Sequence, residues 1–213
     1  MNQRGTVLIF GEDHNDREAL RHLVRALIPA ERIAAIRPQR RPIVLSRGAG
    51  PRARRSMNDD IAAFARAERR RADRVIIVVH RDCDDVEPQH VRETQDIVNS
   101  LRALNVENVV PATPAWEIES WWMLFPHAVA AVCSCWRAID YGNQHVGSFV
   151  NAKERLRRDL RPGRSQARCP DYQEAHGIQI AMELVRHAGH LERATARSDS
   201  FLDFRSRLLQ AFE

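Results

Sequence analysis

Short runs of apolar residues lie in the first half of the chain, within "TVLIF" at residues 6–10, at residues 75–79 and within 107–113. Runs of this kind predict strands that are buried on both faces, as in a parallel sheet. A fourth, shorter run predicts a strand within "PIVLS" at residues 42–46. Apolar residues recur at helical spacing between the runs, and we expect Asn15 to be the N-cap of the first helix. The pattern therefore predicts an α/β protein with an open, mainly parallel sheet flanked by helices.

The pattern becomes helical from Ala115 to the C-terminus, with segments such as "AWEIESWWMLF" and "YQEAHGIQIAMELVRHA". Gly and Pro interrupt these segments, but no stretch resembles a linker between independent domains. We therefore predict an α/β core over residues 1–125 and a helical extension over residues 126–213. The extension should pack on the core to give one compact unit.

The composition is that of a globular chain, with 213 residues, 44% hydrophobic and 29% charged. No window approaches the ~18 consecutive apolar residues of a membrane span, and the N-terminus shows no signal-peptide pattern. We therefore expect a cytoplasmic protein without a membrane partner.

The four cysteines are expected to be reduced, because cytoplasmic thiols rarely form disulfides. Two of them form a Cys-x-Cys pair in an apolar run, without a second Cys or His pair at the spacing of a zinc site. We predict buried thiols and no zinc. The residues are Cys83, Cys133, Cys135 and Cys169.

The formal net charge is +5, and the 33 basic residues include a single lysine, Lys153. Seven arginines and no acid lie between Arg37 and Arg55. Because the guanidinium group pairs well with phosphate, this segment is a candidate contact for a nucleic-acid backbone. A solvated loop and a surface lysine remain open as alternatives. The candidate nucleic-acid contacts are Arg40, Arg41, Arg47, Arg52, Arg54, Arg55, Arg81 and Lys153.

Carboxylates follow two of the predicted strands. Glu12 lies two residues beyond the first strand, and Asp82, Asp84 and Asp85 follow the strand that ends near residue 80. The carboxyl ends of parallel strands meet at one edge of a sheet, so these acids should lie close together. Asp16 lies one helical turn beyond Glu12 and can point to the same side.

Residues two apart in an extended segment point the same way, so Asp82 and Asp84 can share one ion. Oxygen ligands in this number suit Mg²⁺ or Mn²⁺. Two ions ~4 Å apart would activate water and stabilise the leaving oxygen in phosphodiester cleavage. The candidate ligands are Glu12, Asp16, Asp82, Asp84, Asp85 and Glu119. Each acid also has a simpler explanation: Asp85 can cap the turn before Pro88, for example.

Glu119 lies beside an apolar helical face that consists of Ile118, Trp122 and Phe125. This face, with Trp121, should pack on the sheet as core and not serve as a base-stacking platform. Glu119 would then lie at its rim, about 100° from Ile118, from where it can reach the strand ends. A solvated rim charge remains the alternative.

The order Glu12, Asp16, Asp82, Asp84 and Glu119 resembles the Toprim fold of topoisomerases, primases and recombination proteins. "GEDHND" and "HRDCDD" carry this resemblance, the Glu12-x-x-x-Asp16 spacing is closest to the OLD-type nucleases, and the resemblance implies metal-dependent cleavage of DNA. "PAWEIESWW" and "SDSFLDFRSRL" also resemble small stand-alone bacterial Toprim-like proteins. For these, the resemblance implies an ATPase partner and a phage-defence or mobile-element setting. One departure is that His80 and Arg81 precede the Asp-x-Asp, and Arg81 can pair with an acid or face the scissile phosphate.

We therefore expect a Mg²⁺- or Mn²⁺-dependent nuclease with Glu12, Asp16, Asp82, Asp84 and Glu119 as catalytic residues. The alternative is a non-catalytic subunit that binds nucleic acid or a partner through a degenerate Toprim site. No GxxxxGK phosphate loop is present, so we expect no nucleotide cofactor. The choice between DNA and RNA and the oligomeric state are left open.

Overall fold

A parallel four-stranded sheet forms the centre of the fold. The computed structural model describes residues 4–44, 49–161 and 169–213 of the chain. All strand pairs are parallel, and the strand order is β2–β1–β3–β4. This arrangement confirms the predicted fold class, an open parallel sheet flanked by helices. The strands are β1 (Gly5–Phe10), β2 (Ile33–Pro38), β3 (Arg74–His80) and β4 (Val109–Ala112).

Helices alternate with the strands in the first half and then follow one another to the C-terminus, as the apolar pattern predicts. None of the described helices is long and apolar enough to cross a bilayer. The helices are α1 (His14–Leu27), α2 (Pro51–Arg69), α3 (His90–Arg102), α4 (Glu119–Trp122), α5 (Pro126–Val132), α6 (Ala152–Leu160), α7 (Ala175–Arg186), α8 (Gly189–Glu192) and α9 (Asp199–Ala211).

Both faces of the sheet are covered by helices. Val7 and Ile9 belong to an apolar cluster that includes residues of α1, α4, α7 and α9. Leu8 and Phe10, which alternate with them, belong to a second cluster with residues of α2 and α3. Because successive strand residues point to opposite faces, a strand covered on both sides is apolar at every position.

The edge strand β2 differs from the sequence prediction. The pattern predicts a strand at 42–46, but the second strand is Ile33–Pro38, and residues 42–44 are not in a strand. Residues 45 and 46 lie outside the described part of the chain. Val44 is nevertheless buried, and its backbone N–H donates to the carbonyl of Gly11 over 3.4 Å. Its apolar character therefore reflects packing of a loop beside β1.

The chain leaves β1 and β3 in opposite directions across the sheet. After β1 it crosses to β2 on one side, and after β3 it crosses to β4 on the other side. In open α/β sheets, such a reversal leaves a crevice beyond the carboxyl ends of the two central strands. The acids that follow β1 and β3 lie at this crevice.

The cysteines also differ from the prediction. Cys135 and Cys169 form a disulfide, so the expectation that all four cysteines are reduced is wrong for this pair. Cys83 is a buried thiol, as expected, and Cys133 is a partly exposed thiol. The pairing joins the loop after α5 to a segment 34 residues further along the chain.

Candidate functional site

A cleft of about 350 Å³ opens at the carboxyl ends of β1 and β3. Its lining contains one lysine, Lys153, and otherwise only acids, and we call it the acidic cleft. Four of the predicted ligands come together here from three separate parts of the chain. The acids are Glu12, Asp13, Asp16, Asp82, Glu117, Glu119 and Glu174.

The turn between β1 and α1 places the first acids. Asp13 is the N-cap of α1, and its side chain accepts the backbone N–H of Asn15. The predicted N-cap, Asn15, is therefore wrong by two residues. Asp16 lies in the first turn of α1, where the positive end of the helix dipole favours a carboxylate. Glu12 lies between the strand and the cap.

His80 lies between Asp16 and Asp82 at the end of β3. Its Nδ1 is 3.7 Å from Oδ2 of Asp16, and its Nε2 is 3.2 Å from Oδ1 of Asp82. Burial alone would lower the pKa of this imidazole, but the carboxylates of Asp16 and Asp82 raise its pKa to about 9. The imidazole is therefore a cation at neutral pH.

The carboxylates of the cleft are poorly neutralised. Burial raises the pKa of Asp16 to about 6, with a further contribution from Asp82, although the charge of His80 acts in the opposite direction. Burial and the charge of Asp82 also raise the pKa of Glu12. Among the described residues, Lys153 and His80 place cationic groups against these carboxylates, and Arg17 donates to the backbone carbonyls of Gly11 and Glu12.

Glu119 is the most buried of the acids that line the cleft. It is buried at the start of α4, and burial together with the neighbouring Glu117 raises its pKa to about 8. The hydroxyl of Tyr172 donates to its Oε1 over 3.3 Å. Trp121 and Trp122 are fully buried, so the predicted packing of this segment as core is confirmed.

Lys153 bridges two acids at the rim of the cleft. Its Nζ lies 3.3 Å from Oε1 of Glu117 and 3.1 Å from Oε1 of Glu174. Its backbone N–H, at the start of α6, also donates to Oε2 of Glu117. Burial would lower the pKa of Lys153, but the bonds to Glu174 and Glu117 raise it. The ammonium group is therefore held at the acidic cleft.

Asp84 and Asp85 do not line the acidic cleft. Asp84 is exposed, has φ of 49°, and its backbone N–H donates to the carbonyl of Trp116. Its charge contributes to the raised pKa of Glu12, after burial and Asp82. Asp85 accepts the backbone N–H of Val86, as expected of a residue that caps a turn. It lines a neighbouring cavity of about 530 Å³.

The six predicted phosphate contacts between residues 40 and 55 divide into three groups. Exposed arginines lie after β2 and at the start of α2, which is the same edge of the sheet as the cleft; they are Arg40, Arg41, Arg52 and Arg55. Arg54 is partly buried and lines the cavity that contains Asp85. Arg47 lies outside the described residues.

Arg81 is buried beneath α3 and has two acidic partners. Its Nη1 lies 3.2 Å from Oε2 of Glu93 and 3.0 Å from Oδ2 of Asp96. Of the two roles that the sequence left open, the structure places Arg81 in the ion pair. Little of its guanidinium surface remains exposed for a phosphate.

The sequence reasoning missed several residues of the cleft. Glu117 lies two residues before Glu119, and only its spacing in "EIES" could have indicated it. Glu174 and Tyr172 are more than 50 residues from Glu119 along the chain, and no local pattern connects them. In the sequence, His80 only interrupts the Toprim-like motif, and no pattern there indicates that it pairs with Asp16 and Asp82.

Comparisons with known proteins find no match for the chain among family models, curated proteins or solved structures. The arguments for function therefore come from the chemistry of the acidic cleft and its surroundings.

Proposed function

We propose that the protein is a divalent-metal-dependent nuclease of Toprim type that hydrolyses phosphodiester bonds in DNA or RNA. One observation carries the proposal. Glu12, Asp16, Asp82 and Glu119 come from three separate parts of the chain and meet in one cleft at the crevice of a parallel sheet. Converging acids with raised pKa values in a cleft are typical of sites that bind metal ions or move protons.

The donor set fits Mg²⁺ or Mn²⁺. Both ions prefer carboxylate oxygens, and the cleft offers them in excess of its cations. Oδ1 of Asp82 is buried and has no hydrogen-bond partner, although it lies near His80. We assign the first ion to Glu12, Asp16 and Asp82, with Glu119 beside it. A second ion would need Asp84, which is exposed and lies outside the lining of the cleft.

A bound ion would supply an activated water and stabilise the charge on the leaving oxygen. The protein's own residues would hold a proton and bind the phosphate. Glu119 would hold a proton near neutral pH, since its pKa is about 8, and Tyr172 would keep its carboxyl group in place. Lys153 would offer a positive charge to a phosphate at the rim.

The exposed arginines beside the cleft would hold the nucleic-acid backbone. Val44 and Gly11 join the arginine-containing segment to the turn that carries Glu12, so the two features are adjacent. A polar acidic site flanked by cationic side chains fits a phosphodiester, because the metal neutralises the reacting phosphate while arginines bind its neighbours. On the Toprim resemblance alone, we extend the proposal to a bacterial defence or mobile-element system with an ATPase partner, and we keep the cytoplasmic location that the sequence predicts.

A second candidate function is a non-catalytic subunit that binds nucleic acid or a partner protein. A specific observation favours it. His80 and Lys153 already place two positive charges against the acids, so part of the negative charge is neutralised without a metal. In this case the cleft would be a degenerate site.

The test is a cleavage assay of the purified chain on plasmid, single-stranded DNA and RNA with Mg²⁺ or Mn²⁺. We expect cleavage that EDTA stops and that Asp82→Asn reduces by two or more orders of magnitude, while Asp73→Asn, at an exposed acid before β3, cuts normally. Binding of all three substrates without any cleavage would support the non-catalytic alternative. Equal activity of Asp82→Asn and the wild type would contradict the proposed site.

A further inference from the structure

Three of the four cysteines meet outside the acidic cleft. The sulfur atoms of Cys133, Cys135 and Cys169 all lie within 4.8 Å of one another, and all three residues are partly exposed. Cys135 and Cys169 form the disulfide, and Sγ of Cys133 lies 3.2 Å from Sγ of Cys135. The carbonyl of Cys133 accepts the backbone N–H of Trp136 over 3.1 Å, and the turn that this bond closes contains Cys135. The free thiol of Cys133 therefore lies at contact distance from the Cys135–Cys169 disulfide.

We propose that these three residues form a thiol–disulfide exchange site in which Cys133 is the attacking thiol. The Cys133 thiol first loses its proton to water, and the thiolate then attacks Sγ of Cys135. The Cys133–Cys135 bond forms, the Cys135–Cys169 bond breaks, and Cys169 leaves as a thiolate that takes a proton from water. One disulfide is replaced by another, so the step consumes neither an oxidant nor a reductant.

The substrates of such a site are small thiols and dithiols. The three residues are partly exposed, so a low-molecular-weight thiol can attack either disulfide and form a mixed disulfide while one protein thiol is released. A second small thiol, or the second sulfur of a dithiol, then completes the reduction and leaves as the oxidised small disulfide. Disulfides in cytoplasmic proteins are usually of this transient, reactive type. A disulfide of this reactive kind is therefore compatible with the cytoplasmic location that we propose.

The exchange would release one anchor of the segment that carries Tyr172. Cys169 lies three residues before Tyr172, the indole N–H of Trp136 donates to the carbonyl of Pro170 over 2.7 Å, and Tyr172 contacts Glu119. Arg161 pairs with Asp171, and Arg157 donates to the carbonyl of Tyr172, so exchange removes one of several contacts that hold these residues. The exchange site does not depend on the proposed nuclease activity.

A soft metal ion is the competing ligand for three sulfurs. Thiolates bind such ions, but here two of the three sulfurs are already joined, which leaves one thiol for coordination. The structure therefore favours exchange over metal binding.

The experiment uses the whole purified chain without reductant. Samples are held at pH 6 and at pH 8.5, quenched with acid, alkylated in denaturant and mapped by mass spectrometry. We expect two species in the wild type: one has the Cys135–Cys169 bond and an alkylated Cys133, and the other has the Cys133–Cys135 bond and an alkylated Cys169. Exchange after a jump from pH 6 to pH 8.5 should be faster by roughly tenfold or more, because the thiolate is the nucleophile.

Variants distinguish the roles of the sulfurs. Cys133→Ser should contain the Cys135–Cys169 bond alone, and Ser134→Ala, which changes the exposed residue between the two cysteines, should behave like the wild type. The proposal is overturned if the wild type contains only the Cys135–Cys169 species at pH 8.5, if all four cysteines are alkylated, or if the chain contains zinc bound to the three thiolates. The wild-type measurement decides the question even if Cys133→Ser does not fold.

Discussion

Nε2 of His80 lies 3.2 Å from Oδ1 of Asp82, inside the cleft that we propose as a metal site. The opposite side of the same ring faces Asp16. A buried cation between two candidate ligands explains how these acids can lie together before an ion binds. It also means that a metal ion must compete with the charge of the imidazole.

Replacement of His80 should lower the stability of the metal-free protein and raise its affinity for a metal ion. In His80→Gln, Asp16 and Asp82 lose their positive neighbour, so the melting temperature without metal should fall. Mn²⁺ should bind tighter by roughly tenfold or more, because two unit charges ~4 Å apart interact by about 4 kcal/mol at an effective dielectric constant of ~20. Calorimetric titration with Mn²⁺ measures the affinity, and thermal unfolding in EDTA measures the stability.

The matched control for this variant is His90→Gln. His90 is also a buried histidine, but it lies at the start of α3 and does not line the acidic cleft. It should lose stability without any gain in Mn²⁺ affinity. Weaker Mn²⁺ binding in His80→Gln than in the wild type would contradict the idea that the imidazole competes with the ion.

Glu119→Gln should stabilise the metal-free protein at high pH. The native pKa is raised from 4.5 to about 8, so the native state binds more protons than the unfolded state between these values. The wild type therefore loses the Glu119 contribution to stability as the pH rises from 4.5 to 8, and the Gln variant has no such contribution to lose. A pKa difference of one corresponds to ~1.4 kcal/mol, so the advantage should reach a few kcal/mol at pH 8.5.

Urea unfolding in EDTA at pH 5 and pH 8.5 measures this effect. The Gln side chain keeps an oxygen that can accept the hydrogen bond of Tyr172, so the packing of the site is preserved. Glu107→Gln, at an exposed side chain, serves as the control and should show no pH-dependent gain. An equal effect of Glu119→Gln at both pH values would show that the carboxyl group is not protonated by its burial.

Glu87 lies in the loop between β3 and α3, and it should stabilise the contact of this loop with the start of α9. Burial would raise its pKa, but hydrogen bonds from Ser200, Ser198 and Asp199 lower it below its usual value of 4.5. The backbone N–H groups of Asp199 and Ser200 each donate over 2.8 Å. A Cβ on Gly147 would lie 2.1 Å from the carboxyl carbon, which shows how closely the loop encloses this group.

Glu87→Gln should therefore cost roughly 1–3 kcal/mol at pH 7, because the amide nitrogen cannot accept these N–H donors. A lowered carboxyl pKa stabilises the fold above about pH 4.5, and this contribution disappears as the pH falls through the native pKa. The difference between wild type and variant should thus shrink at pH 3. Urea unfolding at the two pH values measures it, with the exposed Glu192→Gln as control. A constant difference would contradict the role of the ionised carboxylate.

The arginines beside the cleft should determine nucleic-acid binding. In Arg52→Ala/Arg55→Ala, at the start of α2, DNA affinity at 0.1 M salt should fall by roughly tenfold or more. The slope of log affinity against log salt should fall by about two, since each phosphate contact contributes ~0.9. The control is Arg71→Ala/Arg102→Ala, with two exposed arginines at the opposite edge of the sheet. Equal losses in both double variants would indicate only the effect of net charge.

Features that depend on a single segment could be predicted from the sequence. The runs at 75–79 and 7–10 are apolar at every position because helices cover both faces, so their burial can be recognised from the sequence. The position of Glu12 and Asp82 at one edge then follows from parallel pairing. Trp121 and Trp122 could be predicted as core because of their helical spacing.

Features that depend on distant segments could not be predicted. The edge strand β2 is only partly buried and lacks a long apolar run, so it resembles a loop in the sequence. Tyr172 and Glu174 reach Glu119 and Lys153 only because the chain before α7 returns to the sheet edge. The disulfide partner of Cys135 is 34 residues away, and its pairing depends on the same return.

We propose that the acidic cleft binds a divalent ion through Glu12, Asp16 and Asp82. The anomalous scattering of manganese in crystals of the chain soaked with Mn²⁺ tests this site directly. We expect an anomalous peak between these three carboxylates, which is lost in crystals of Asp82→Asn. If the chain binds nucleic acid but its crystals show no peak in the cleft at millimolar Mn²⁺, the proposed metal site is contradicted.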